Sequence, residues 1–402
     1  MAAPERGYYA PGRIEVLGKH TDYAGGRSLL GAVERGIRLV AAPRADRRLR
    51  IVDARSDERV ELEIEPELAP RPGHWSNYPT TVARRIARNF CGPPPLRGAD
   101  LAFASDLPPA AGMSSSSALV VAVFTALADL NALERRPEYL ADIRGVEDLA
   151  GYLGAIENGL SFGALAGDGG VGTFGGSEDH TAILCSRPGT LRQYAFCPVR
   201  HERDVPFPTG WRLVIAVSGV TAEKTGSARE RYNRAARAVG AMLEAWCAAT
   251  GRSDRSLAAA LASTPDAPER MGRIIGASLR PRLEQFLAES EEIIPAAAAA
   301  LAQGDTTALG PLVDRSQALA AQGLGNQIPE TIALARRARE LGAAAASAFG
   351  AGFGGSVWAL VMEADAPEFR ERWASAYARD FPERAARAEY LITGAGAGLV
   401  MV

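Results

Sequence analysis

Residues 106–119 read D-L-P-P-A-A-G-M-S-S-S-S-A-L. Gly112 frees the backbone to turn tightly and to approach a ligand. Ser114, Ser115, Ser116 and Ser117 then supply hydroxyls and consecutive backbone N–H groups, and Ala118, Leu119, Val120, Val121, Val123, Phe124 and Leu127 continue as an apolar helix. The serines thus sit where a loop becomes a helix N-terminus, a place where orphan N–H groups and the helix dipole favour an anion. The chemistry implied is phosphate binding, of no particular kind. A Ser-rich flexible linker is the plain alternative, but a linker would not run straight into an apolar helix.

A second polar cluster lies earlier. Residues 9–36 contain Pro11-Gly12, a short apolar strand around Ile14, Val16 and Leu17, and then Lys19, His20, Asp22 and Tyr23 between Gly18 and Gly25. Polar side chains crowded on a Gly-bounded loop between strands suit ligand contact, although a solvated hairpin tip would look similar. The segment from Gly12 to His20 is not a Walker A loop: five residues separate Gly12 from Gly18, and His20 stands where Ser or Thr is needed. Glu157 falls near the end of a helical stretch, where a carboxylate opposes the dipole unless a cation faces it; a metal ion or a solvated face would each account for it. Residues 163–180 are glycine-rich and end in Glu178, Asp179 and His180. That is a suitable address for a catalytic carboxylate, and equally for a charged turn.

The elements that must position these groups follow from pattern. With 402 residues, 47% of them hydrophobic, the chain can build a large core and two domains. Its net charge of −2 gives no reason to expect nucleic acid or an acidic membrane surface as a partner. Cys91, Cys185, Cys197 and Cys247 show no metal-ligand spacing, no basic-then-apolar segment opens the chain, and no charge-free apolar run of about 18 residues occurs. A reduced cytoplasmic protein, monomeric or weakly dimeric, fits these features.

Strands are predicted at Gly36–Ala42, Leu49–Val52, Val60–Ile64, Leu101–Ala104, Thr181–Cys185 and Trp211–Val217. Helices are predicted from Trp75 through Phe90, over Glu134–Gly159, from Ser227 to about Ala249, and near 256–263, 279–302, 307–321, 329–341 and 366–380. Trp75 and Tyr78 at a helix start could stack on a base or simply join the core. The domain boundary is placed at 210/211, shortly before the composition turns Ala/Leu/Arg-rich from Ser227. Residues 350–355, G-A-G-F-G-G, match a dinucleotide fingerprint by letters only, because the strand-like Ser356–Met362 follows instead of a helix. The loop is expected to join two strands and brush past a ligand or a second glycine loop.

Taken in order, these motifs resemble the GHMP small-molecule kinases and, within them, the galactokinases. The family's first motif runs G-R-x-N-x-x-G-E-H-x-D-Y-x-x-G; here it reads G-R-I-E-V-L-G-K-H-T-D-Y-A-G-G. The second, P-x-x-x-G-L-S-S-S-A, is P-P-A-A-G-M-S-S-S-S-A here, and the third is G-A-G-F-G-G. Trp75-Ser76-Asn77-Tyr78 fits the W-x-N-Y element of galactokinases. The resemblance implies an α+β GHMP kinase fold, with a ribosomal protein S5 domain 2-like domain over 1–210 and a ferredoxin-like domain over 211–402. ATP and sugar would meet in the cleft between them.

The resemblance also implies roles. Asp179 falls on the catalytic Asp of a G-x-M-D-Q context, and Arg13 on the arginine that pairs with it. Ser116 and Glu157 fall on the Mg²⁺ ligands, Gly112 and Ser114–Ser117 on the phosphate loop, and Trp75 and Tyr78 on the adenine site. Lys19, His20, Asp22, Gly176 and Tyr232 fall on the sugar site. The departures gather on the sugar side: Glu15 replaces Asn, Lys19 replaces Glu, Glu178 replaces Met, and extra, mostly glycine residues precede Asp179. A lysine can only donate. A uronic acid of the galacturonate type is therefore an alternative acceptor if Lys19 faces the sugar, and an ordinary galactokinase results if it turns away towards Glu15 or Glu178. A non-catalytic sugar and ATP regulator is the reading from another class. The presence of Asp179, Ser116 and Glu157 argues against it.

Overall fold

The computed structural model describes residues 6–109, 111–220 and 226–402, without the side chains of 226–229. Its first half is built on a sheet with strands β1 (Arg6–Leu17), β2 (Arg27–Pro43), β3 (Arg48–Asp53), β4 (Glu58–Glu63) and, beyond helix α1 (Asn77–Asn89), β5 (Ala99–Ser105). Helices α2 (Ser115–Leu130), α3 (Pro137–Asp142), α4 (Val146–Asn158) and α5 (Glu178–Cys185) follow, then the hairpin β6 (Thr190–Ala195) and β7 (Arg200–Pro206). The long β2 is the hinge of this sheet. It pairs antiparallel with β1 along its length, with β5 through Ile37–Pro43, and with β6 through Arg27–Leu30.

Val82 and Ile86 of α1, Phe90 just after it, and Val120, Val123, Phe124 and Leu127 of α2 pack with Leu39, Leu49, Ile51 and Leu101 of the sheet. α2 is buried along most of its length, as its near-continuous apolar sequence requires. Its N-terminal serines are therefore fixed by a rigid element.

The second half holds β8 (Trp211–Val217), α6 (Gly226–Thr250), α7 (Leu257–Leu261), α8 (Ala267–Ile274), α9 (Arg280–Leu287), α10 (Ile294–Ala302), α11 (Thr306–Leu319) and α12 (Pro329–Glu340). Then come β9 (Ala345–Phe349), β10 (Ser356–Met362), α13 (Ala366–Asp380), α14 (Pro382–Ala385), β11 (Glu389–Thr393) and β12 (Val400–Met401). Strands β11-β8-β10-β9 make an antiparallel sheet. Leu334 of α12 and Phe369, Trp373 and Tyr377 of α13 cover one face. On the other face, Leu213, Ile215, Trp358 and Leu360 share a core with Ala297, Leu309 and Val313, and also with Ile14, Val16 and Val33 of the first sheet. That shared core locks the two halves together and sets the cleft between them.

Several expectations need revision. Thr181–Cys185 is the second half of helix α5, not a strand; a short apolar run has no period of its own, and the acidic first turn, Glu178-Asp179, supplies the helix start. The helix expected over Glu134–Gly159 is broken before α4, where Gly145 is extended with φ −161°. The β6–β7 hairpin was not legible among its arginines and prolines. The chain's end crosses back, since Tyr8 and Tyr9 of β1 pair with Met401 and Val400. Residues 350–355 do join two strands, and Ser356 donates its hydroxyl to the Ala111 carbonyl at 2.6 Å, so this loop lies against the serine loop.

Candidate active site

Side chains at every second position of a strand share a face, and β1 thereby presents both Arg13 and Glu15 to the cleft. Arg13 is held from two sides. Its Nε donates to Asp179 Oδ1 at 2.6 Å, and its NH1 donates to the Gly112 carbonyl of the serine loop. Its own backbone N–H bonds Met113 at 3.1 Å. Burial works against the guanidinium charge, but Asp179, Glu178 and Glu15 outweigh it and hold the pKa above its ordinary value.

Asp179 sits in the first turn of α5, facing the N-terminus of α2. Ser117 Oγ donates to Glu157 Oε2 at 2.8 Å and lies 3.4 Å from Asp179 Oδ2. Asp179, Ser117 and Glu157 come from three separate helices and converge at one point. His180 Nε2 stands 3.1 Å from the same Glu157 oxygen, though out of line for a hydrogen bond. It is Ser117, not the Ser116 expected as a metal ligand, that meets Glu157. Four serines stand where the motif shows three, so the register is open by one position. On the helix, it is the fully buried Ser117 that faces Glu157.

The polar loop is shaped by backbone as much as by side chains. Gly18 has φ +125°, and a Cβ there would come within 2.3 Å of Ser28 Oγ. His20 itself adopts φ +58°, and its ring bridges Tyr23 Oη (2.8 Å) and the Ala351 carbonyl (3.0 Å). His20, Asp22, Gly176 and Tyr232 all line the cleft. Asp22 Oδ2 accepts from the Glu178 N–H at 3.2 Å, and a Cβ on Gly176 would lie 2.3 Å from that oxygen. Only glycine lets the strap before α5 come this close. Asn158 staples the strap, donating to the Gly176 carbonyl at 2.9 Å and accepting from the Gly175 N–H at 2.8 Å.

Lys19 does not join this lining. It is fully buried, and its Nζ lies 3.1 Å from Ser316 Oγ on α11, behind the cleft. The sharp turn at Gly18 and His20 sends neighbouring side chains to opposite sides, so His20 faces the cleft and Lys19 the interior. Its charge instead opposes the rise of the Glu15 pKa. Burial pushes that carboxyl up to about 7, with Glu289 adding to the rise and Lys19 and Arg13 resisting it. Glu178, whose Oε2 accepts from Ser28 Oγ at 2.8 Å, is pushed well above the carboxylate range by burial and then by Glu15 and Asp22. Both carboxyls line the cleft; in the sequence they stand out as departures from the family pattern and as possible partners for Lys19, not as cleft residues acting together.

Trp75 and Tyr78 lie elsewhere. Trp75 packs edge-on against Phe103, with ring centroids 5.4 Å apart, and donates Nε1 to Glu58 at 2.7 Å. Both rings are half-buried against the first core and neither lines the Arg13–Asp179 cleft. Among the described residues, no cluster of three His, Cys, Asp or Glu side chains could hold a metal by itself. The oxygen pair of Ser117 and Glu157 nevertheless suits Mg²⁺, which keeps few protein ligands and fills its shell from phosphate and water.

Residues 77–161 match the GHMP kinases N terminal domain, residues 2–43 the galactokinase galactose-binding signature, and residues 297–379 the GHMP kinases C terminal family. A galactokinase of Chloroflexus aggregans is 30% identical over 386 residues, covering 93% of this chain and 88% of the relative. A Roseiflexus sp. galactokinase is 30% identical over 400 residues, covering 98% and 92%. In three dimensions, Lactococcus lactis galactokinase complexed with galactose superposes with a TM-score of 0.82 at 22% identity, over 99% of this chain and 95% of that one. L. major mevalonate kinase in complex with R-mevalonate gives 0.57 at 16% identity, over 97% and 96%.

Proposed function

Since the chain belongs to the GHMP kinases and is a galactokinase-like, ATP-dependent sugar 1-kinase, we propose that it phosphorylates the anomeric hydroxyl of a galactose-configured monosaccharide. The observation that carries this is the 2.6 Å Arg13–Asp179 pair, set against the serine-loop helix and the Ser117–Glu157 contact. Phosphoryl transfer depends on alignment and charge neutralisation more than on covalent chemistry.

Asp179 is the group placed to orient the acceptor hydroxyl and take its proton. Arg13 pairs with Asp179, orients its carboxylate and supplies positive charge beside the transferred group. The backbone N–H groups at the start of α2 receive phosphate oxygens. Ser117 and Glu157 would hold Mg²⁺, which when bound neutralises the β- and γ-phosphates. His20, Asp22 and Tyr232 would read sugar hydroxyls, while Trp75 and Tyr78 remain the candidates for the adenine site. The four cysteines are free, which supports a reducing, cytoplasmic setting.

The uronate alternative needed an ammonium facing the sugar. Lys19 buried on Ser316 counts against it. The test of the main reading is coupled ADP release over a panel of monosaccharides, with phosphorus NMR of the product. Transfer to the anomeric oxygen of a galactose-configured sugar is expected; ADP release that is independent of sugar, or transfer to another hydroxyl, would overturn it.

A further inference from the structure

The loop over 18–27, which carries His20 and Asp22, belongs to the first half of the chain but is held by the second. Between α9 and α10 the chain stays helical, and over Ala288–Ile293 it widens into a π turn. Such turns are rare and gather at functional sites. Consecutive residues of this one reach both stems of the loop: Glu289 Oε1 accepts from the Gly18 N–H at 2.8 Å, and Ser290 Oγ accepts from the Arg27 N–H at 3.1 Å. About one turn earlier, Gln285 Nε2 lies 3.4 Å from the Lys19 carbonyl. About two turns earlier, Arg282 donates to the His20 carbonyl at 2.6 Å and also to Gln285 Oε1. Every loop atom in these contacts is main chain. The helix therefore fixes the backbone path from which His20 and Asp22 project.

Glu289 is fully buried, and its Oε2 has no hydrogen-bond partner among the described residues. A buried carboxylate with one oxygen unmet weakens the fold, and an apolar side chain would fill that core position with less penalty. What the carboxylate supplies is an acceptor for Gly18, whose positive φ starts the turn to His20. A local rule broken at such a place marks function rather than folding.

We infer that Glu289 and Arg282 are positioning residues for sugar binding. Neither lines the cleft; they act by setting the loop that presents His20 and Asp22 to the sugar. The inference rests on the sugar 1-kinase reading above and adds the element that shapes its sugar loop.

The experiment measures steady-state kinetics and thermal melts, with Mg-ATP and with the sugar preferred in the monosaccharide panel each varied in turn. It compares the native protein with Glu289→Leu, Glu289→Gln, Arg282→Met and, as a control exposed on the same helix, Glu284→Gln. The sugar KM should rise about tenfold to a hundredfold in Glu289→Leu and in Arg282→Met, the scale of one lost charge-assisted hydrogen bond, while the KM for Mg-ATP stays within about twofold. Glu289→Leu should melt close to the native temperature. Glu289→Gln keeps an acceptor for Gly18 and should recover most of the loss; Glu284→Gln should match the native protein. An unchanged sugar KM in both disruptive variants, an equal rise for both substrates, or a Gln variant no better than the Leu variant overturns the inference and leaves the kinase reading standing. Should Glu289→Leu fail to fold, Arg282→Met decides by the same comparison; loss of folding in both makes the contacts structural and also overturns the inference. Native protein without sugar-dependent transfer overturns both.

Discussion

Ser117 and Ser116 are adjacent, and the structure assigns them different work. Ser117 is fully buried and donates to Glu157 at 2.8 Å, whereas Ser116 is half-buried one helical step away. Replacing Ser117 with Ala removes a hydrogen bond to a carboxylate, worth roughly 1.5–3 kcal/mol, together with one oxygen of the proposed Mg²⁺ site. The Mg²⁺ concentration for half-maximal rate should rise about tenfold to a hundredfold. Ser116→Ala removes neither and should stay within about threefold, a surface-scale effect of ~0.5 kcal/mol. Mg²⁺ titrations at saturating ATP and sugar, with thermal melts confirming that both variants fold, make the comparison. A large shift in Ser116→Ala beside an unchanged Ser117→Ala would refute the reasoning and restore the register that motif counting suggests.

Lys19→Glu should act on stability before specificity. It would place a third carboxylate near Glu15 and Glu289 in the interior, and breaking a buried charge arrangement costs about 3–5 kcal/mol; a large fall in the denaturant midpoint is expected, and an unchanged midpoint with altered sugar preference would contradict it. Glu15 predicts a pH dependence. Its folded pKa, about 7, lies above its ordinary 4.5, so the folded state binds the proton more tightly; the resulting stability is present below about 4.5 and is lost as pH rises through about 7. Melting temperatures of the ligand-free protein should fall over that window, and Glu15→Gln should flatten the fall; an identical slope in the variant would exclude Glu15 as its source.

Much of the site could be read before the fold was known, because the chemistry is tied to local backbone. The serine loop before an apolar helix, the glycines around His20 and Asp22, and the strand–loop–strand at 350–355 each announce themselves over a few residues. What escaped depends on tertiary placement. Whether Ser116 or Ser117 faces Glu157 is a matter of helix rotation about a packed axis. Lys19 and His20 are neighbours in sequence and differ only in which side of the β1–β2 turn they face. Thr181–Cys185 is too short for periodicity to separate helix from strand. Glu15 and Glu178 looked like isolated substitutions until β1 and α5 brought them to the same cleft wall. Asn158 gave no signal at all, since its role is to staple a loop that follows it in the chain.

In the proposed mechanism Asp179, held by Arg13 beside Ser117 and Glu157, carries out the transfer step. The direct measurement is single-turnover phosphoryl transfer in Asp179→Asn, alongside calorimetric titration of the same protein with Mg-ATP. Nucleotide affinity close to the native value and a transfer rate lower by at least about a hundredfold are expected. Near-native transfer by Asp179→Asn, with nucleotide still bound, would contradict it.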